Sequence, residues 1–235
     1  MKILAADTST AINTVTVCEG ECVLAETVVY CRRAHSERLL ATVDWILSEA
    51  GLGLNDLDAL AISIGPGSFT GLRVGTSAWK GLALGADLPL VAVPTLDAMT
   101  RLGVFQDALV CPMLDAKLGE VFGAVYRFVA GRRAKVVDER ACVVEDLLGG
   151  IEEEVVVLGD GATRYRERVE AVAPAATMAA GPCSIPRASA VAVEALALLE
   201  RGVCADPACV APVYLRKSQA EEDRARRQNA GACEG

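Results

Sequence analysis

The sequence predicts an α/β protein of two related lobes, each built on a mixed sheet flanked by helices. Three observations predict it. The first hundred residues read in the order β-β-β-α-β-α-β. An apolar strand ending in aspartate, then a hairpin and a further strand, occurs twice, at Asp7 and at Asp115. The 235 residues are 52% apolar and 23% charged, which suits a folded chain of one large or two small units.

The elements follow in chain order. Residues 2–7 form an apolar strand, 12–20 alternate toward a Glu19-Gly20 turn, and 21–30 supply a third strand, which makes an antiparallel meander. Residues 34–51 are helical, with Leu39, Leu40, Val43, Ile46 and Leu47 as a core stripe and Gly51 closing the end. A strand at 57–65, a helix at 68–86 and a short buried strand at 88–93 complete the first lobe, 1–103. The second lobe, 104–204, opens with strands at 108–117, 119–130 and 132–144. A short helix near 145–149, a strand at 154–161 and helices at 162–172 and 187–201 follow. Residues about 205–217 are expected to pack back on the first lobe. The charged and small residues of 218–235 read as a frayed tail.

Composition narrows the function. A net charge of −8 does not favour a polyanion partner held by this chain alone, because phosphate backbones need clustered Lys and Arg. The opening MKILAADTST carries too short an apolar run for a signal peptide or membrane anchor, so a cytoplasmic location is expected. The nine cysteines are an odd number, contain no CxxC, and read as reduced thiols used as small apolar residues. The single histidine, His35, rules out zinc sites that need several histidines, so no metal site is expected.

The stretch GPGSFTGLRVG, residues 65–75, places four glycines in eleven positions between a strand and a helix. Such a junction either offers free N–H groups to an anion or lets a neighbour pack very close. It lacks the Gly-Lys-Ser/Thr of a phosphate loop, and it is not GxGxxG. Ser68 or Thr70 is the expected N-cap. Along the helix, Gly71, Val74, Gly75, Ala78, Gly81, Leu82 and Gly85 share one face, which argues for a close neighbour. Arg73, Thr76 and Lys80 are read as facing water. The two tryptophans, Trp45 and Trp79, both sit off the main apolar stripes and read as interface anchors or as packing within the chain. Asp7 with Thr8, Ser9 and Thr10, and Asp115 as its counterpart, could touch a phosphate or simply make turns. His35 reads as a capping or surface residue, and no catalytic triad can be nominated.

The segments ILAADTST, HSERLL, GPGSFTGLRVG with KGLALG, LDAKLGEVF, GDGATRY and PVYLR occur in an order and spacing that resembles the bacterial TsaB (YeaZ) family, over residues 1–217. The resemblance implies an actin-like, Hsp70-like ATPase fold of two related lobes. It also implies a non-catalytic subunit, with no cofactor of its own, in the pathway that makes threonylcarbamoyladenosine at position 37 of tRNAs reading ANN codons. The expected partners are TsaD, which carries the metal and the transferase chemistry, and TsaE, which carries ATP. A homodimer is expected when the chain is alone, and tRNA contact only through the complex. In this reading Asp7, Thr8, Ser9, Thr10, Gly65, Gly67, Ser68 and Asp115 are a vestigial phosphate-loop region. The partner face comprises Ala34, His35, Arg38, Ala41, Trp45, Leu72, Gly75, Trp79, Ala83 and Ala86. The rival is a nucleotide-dependent kinase or ATPase using Asp7, Asp115 and the Gly65–Ser68 loop.

Overall fold

A computed structural model describes residues 1–30, 35–179 and 181–216, without the side chains of residues 35–37. Ala34, the His35 side chain and the tail 218–235 therefore lie outside the described residues.

The first sheet holds β1 (Lys2–Asp7), β2 (Ile12–Glu19), β3 (Cys22–Tyr30), β4 (Ala59–Gly65) and β5 (Leu90–Pro94), in the order β3-β2-β1-β4-β5. β1 pairs antiparallel with β2 and parallel with β4. The second sheet holds β6 (Ala108–Lys117), β7 (Glu120–Val129), β8 (Arg132–Cys142), β9 (Val155–Leu158) and β10 (Thr177–Met178), in the order β10-β9-β6-β7-β8. β6 pairs antiparallel with β7 and parallel with β9. The two sheets thus repeat one topology, a three-strand meander whose first strand is joined on its other side by two parallel strands.

Alternation decides the layers. One face of β1 and β2 presents Leu4, Val15 and Val17 to α1 (His35–Glu49) and α2 (Phe69–Ala86), which bury Leu39, Val43, Ile46 and Trp79 there. The opposite face presents Ile3, Ala5 and Cys18, with Val91, to α7 (Ala188–Glu200). The sequence reading placed this helix in the second lobe. It covers the first sheet instead, because Ala188, Val191, Ala192 and Ala195 make a flat, small-residue face that fits closely onto a sheet.

In the second lobe α4 (Val144–Leu148), α5 (Asp160–Arg164) and α6 (Arg166–Val172) cover one sheet face. The expected helix at 162–172 is therefore two short helices, broken at Tyr165, and it starts earlier, at Asp160. The other face, with Val110, Leu114 and Tyr126, packs on Leu96 and Met99 of α3 (Thr95–Met99), a helix the periodicity did not reveal. Polar contacts join the lobes beside α3. Glu194 of α7 is 1% exposed and takes ion pairs from Arg101 at 2.6 Å and from Arg133 of β8 at 2.7 Å. Among the described residues no helix is long and apolar enough to cross a membrane.

Candidate functional site

The two β–α junctions that face the interlobe cleft are built alike. In the first lobe β1 runs into the turn Thr8-Ser9-Thr10, and the loop after β4 folds down onto that turn. The Ser68 amide donates to the Ser9 carbonyl at 2.6 Å. A Cβ on Gly67 would lie 2.5 Å from the Ser9 carbonyl oxygen, and one on Gly71 would overlap the Thr8 carbonyl. Ser68 is the N-cap, its hydroxyl accepting from the Gly71 amide at 3.3 Å. The first turn of α2 therefore rests on the β1 turn itself, and the glycines are there to allow it. Gly67 and Gly71 thus make the close approach that one of the two readings of the loop expected.

Asp7 lies behind this contact. It is fully buried, and its Oδ1 accepts from the Ser9 amide at 2.9 Å and the Ser9 hydroxyl at 2.7 Å. Its Oδ2 is buried without a hydrogen-bond partner among the described residues. Burial pushes the carboxyl above its ordinary pKa, and the Ser9 hydroxyl, the nearby Ser63 hydroxyl and the Ser9 amide offset only part of that.

The second lobe mirrors the arrangement with opposite electrostatics. Asp115 near the end of β6 pairs with the Lys117 ammonium at 2.6 Å and accepts from the Lys117 amide at 2.9 Å and the Tyr165 hydroxyl at 3.1 Å. Burial alone would raise its pKa, but Lys117 and Tyr165 outweigh it and the carboxyl is held low. Asp160, at the start of α5, accepts from the Asp115 amide at 3.0 Å and is raised by burial. Here too glycines admit the contact: a Cβ on Gly161 would sit 2.8 Å from the Leu114 carbonyl carbon. Asp160 was not singled out from sequence. The signal was its place between two glycines directly after a buried strand, the same grammar as 65–68.

Between the lobes lies a cavity of about 420 Å³. Ser9, Thr10, Gly67, Ser68 and Asp115 line it, together with Asp160, whereas Asp7, Thr8 and Gly65 are not part of its wall. The vestigial phosphate region therefore splits into a lining half and a buried half. The C-terminal residues Val213 to Arg216 form part of the same wall.

The second candidate surface is the outer face of α1 and α2, which pack beside each other on the first sheet. On α1, Arg38, Ala41 and Trp45 are exposed, Trp45 by 54%, and Leu40 joins them at 48% in spite of its expected core position. On α2 the sequence reading needs correction. Leu72, Gly75, Trp79 and Ala83, expected on the partner face, are buried in the lobe, and the Trp79 indole N–H donates to the Leu4 carbonyl at 3.4 Å. Thr76, expected to face water, is buried with them. The phase was misread because all the glycines were taken to mark one packed face. Gly71 and Gly75 do approach Thr8, but Gly81 and Gly85 are exposed with open space where a side chain would go. The solvent face of α2 is instead Ser77, Gly81, Leu84 and Gly85, with Leu84 61% exposed, and Ala86 is half-buried.

Comparison with known proteins adds the following. Residues 29–224 match the family model described as TsaD: tRNA N6-adenosine threonylcarbamoyltransferase. The tRNA threonylcarbamoyladenosine biosynthesis protein TsaB of Bacillus subtilis is 31% identical over 175 residues, 73% of this chain and 76% of that one. Its Escherichia coli namesake is 42% identical over 130 residues, 54% of this chain and 55% of that protein, so this alignment spans about half of each. A tRNA N6-adenosine threonylcarbamoyltransferase of Cereibacter sphaeroides is 39% identical over 117 residues, only 31% of its length. Among solved structures, YeaZ from Pseudomonas aeruginosa superposes with a TM-score of 0.78 at 28% identity, covering 91% of this chain and 99% of that one. EutJ from Carboxydothermus hydrogenoformans, with a TM-score of 0.52 at 14% identity, shares the fold alone.

Proposed function

The chain belongs to the TsaB (YeaZ) family and has a role in tRNA threonylcarbamoyladenosine biosynthesis; from that premise we propose that it is a non-catalytic subunit that binds and activates TsaD. The observation that carries the reading is the outer face of α1 and α2. Trp45, Leu40 and Leu84 stand exposed on these helices, and Gly81 in the interior of α2 and Gly85 in its last turn have nothing against them among the described residues. An interior glycine such as Gly81 costs about 1 kcal/mol relative to alanine. That cost is offset when another helix approaches closely, and the exposed Trp and Leu side chains supply the apolar area that such an approach would bury.

A matching surface on TsaD is reasonable on symmetry grounds. The Cereibacter transferase is 39% identical to this chain over 117 residues, and a helix pair on a related lobe would meet this one about a pseudo-twofold axis. A second copy of this chain would use the same face in a homodimer, in competition with TsaD. On this reading TsaD supplies the metal and the transfer chemistry, TsaE supplies ATP turnover, and tRNA reaches the assembly through the partners, in keeping with the net charge of −8.

The cleft supports the non-catalytic half of the proposal. Its first-lobe aspartate is turned into the core with a raised pKa, and the loop that would meet a phosphate is bonded to Ser9 instead. The experiment is sizing of the chain alone and mixed with TsaD, followed by tRNA modification assays with each component left out. A stable heterodimer and loss of modification when this chain is omitted are expected. ATP hydrolysis by the isolated chain that disappears in Asp7→Ala would favour the kinase or ATPase reading.

A further inference from the structure

We propose that the segment PVYLR, residues 212–216, is a latch that ties the two lobes together across the mouth of the cleft and sets its width. The chain leaves α7 and returns along the first lobe. The Ala205 amide donates to the Leu90 carbonyl at 3.0 Å, and the Lys80 ammonium holds the carbonyls of Ala208 and Val210 at 2.9 and 3.0 Å. Val210 is buried in the α1–α2 core. The run then reaches the β4–α2 junction. The Val213 amide donates to the Ile64 carbonyl at 2.7 Å, and Gly65 has no room for a side chain because the Val213 carbonyl lies against it.

From there the latch holds both lobes. The Tyr214 ring stacks on Phe69 in the first turn of α2, with centroids 4.6 Å apart, and its hydroxyl accepts from Arg73 Nε at 3.0 Å. The Arg73 guanidinium also lies 3.9 Å from the centre of the Phe69 ring. Two residues later Arg216 crosses to the second lobe. Its guanidinium donates to the Ala116 carbonyl at 3.3 Å and pairs with Glu120 at 3.1 Å, both at the β6–β7 hairpin. Tyr214 and Arg216 thus grip the two walls of one cavity, and Leu215 between them lines it as well.

Away from the cavity lining, the lobe junction is already fastened by the ion pair of Glu194 with Arg133. Lobes joined there need a second attachment beside the cavity to keep one separation, and the latch provides it. This goes beyond partner docking: it is a property of the chain by itself and is tested without TsaD.

The test is amide hydrogen exchange on the full chain, comparing the natural protein with Tyr214→Ala and with Arg216→Gln. The reporters are the Ser68 amide in the first lobe and the Asp115 and Lys117 amides in the second, all hydrogen-bonded in the closed arrangement. A latch predicts that releasing either end loosens both walls, with exchange faster by about tenfold in both sets. Faster exchange at Ser68 in Arg216→Gln supports the proposal most directly, because the contacts of Arg216 with Ala116 and Glu120 lie in the second lobe. Exchange that changes only beside the substituted residue, or not at all, overturns it and leaves 212–216 as surface packing. Should Tyr214→Ala fail to fold, Arg216→Gln decides alone.

Discussion

Gly71 lies directly against the carbonyl of Thr8, so that α2 is seated on the turn that ends β1 with no space for a single methyl group between them. Gly71→Ala must push a helix away from a backbone that cannot yield. An overpacking cost of about 1–3 kcal/mol is expected, read as a lowered midpoint in chemical denaturation. Gly81→Ala, on the same helix but in open space, should have the opposite sign and stabilise the isolated chain by about 1 kcal/mol. If the outer helix face receives TsaD closely, the same Gly81→Ala change should weaken that complex.

Trp45 and Leu72 separate docking from folding. Trp45 is 54% exposed and Leu72 is 0% exposed. Trp45→Ala should leave the thermal midpoint nearly unchanged and weaken TsaD binding by about 30-fold, equivalent to about 2 kcal/mol, in a titration calorimetry or sizing experiment. Leu72→Glu should instead bury a charge in the core beneath α2 and unfold the lobe, whether or not a partner is present. A Leu72→Glu protein that stayed folded and lost only TsaD would reverse the assignment of faces.

The repeated strand-to-aspartate pattern was legible because period-2 alternation and turn residues are local properties. It led to two sheets of identical topology. The helix pair was legible as an element, but the face of α2 was not. Glycine marks close approach without saying to what: Gly71 approaches the chain's own β1 turn, while Gly81 approaches nothing described. α7 was misplaced for a related reason. An Ala/Val helix has no strong polar face, so its sequence position suggested the second lobe while its flat surface fitted the first sheet. Asp160 and the contacts of Arg216 depend on residues 45 and 96 positions away, a separation that periodicity does not reach.

Asp7 makes a prediction about pH. Burial raises its native pKa, so the folded chain binds the proton more tightly than the unfolded one, whose carboxyl titrates near 3.9. Stability attached to that proton is complete below the unfolded value and is lost as pH climbs toward the raised native one. Asn in place of Asp keeps the acceptor for Ser9 and puts an uncharged amide group where the second carboxyl oxygen lies. Asp7→Asn should therefore raise the thermal midpoint at pH 7 by a few degrees, of the order expected for about 1 kcal/mol. The advantage should shrink toward pH 4. A variant less stable than the natural protein at pH 7 would mean that the carboxylate charge has a partner.

Glu194 provides the contrasting case, a buried charge that is fully paired. Its side chain is 2% exposed between Arg101 and Arg133, and Arg133 is only 18% exposed. Removing the carboxylate leaves the Arg133 guanidinium with Asp97 at 3.8 Å as its remaining ion-pair neighbour. Breaking a buried pair on one side is strongly destabilising because the other charge stays behind. Glu194→Ala should cost about 3 kcal/mol in chemical denaturation, with little dependence on salt, since screening reaches buried pairs poorly. Arg127→Ala, which removes the exposed pair with Glu153, should leave the denaturation midpoint nearly unchanged. Because Glu194 sits on a first-lobe helix and Arg133 on a second-lobe strand, the Glu194→Ala chain should also lose the single cooperative transition. Probes placed in the two sheets would then report separate unfolding midpoints, and coincident midpoints would show that the apolar contacts of α3 suffice to hold the lobes as one unit.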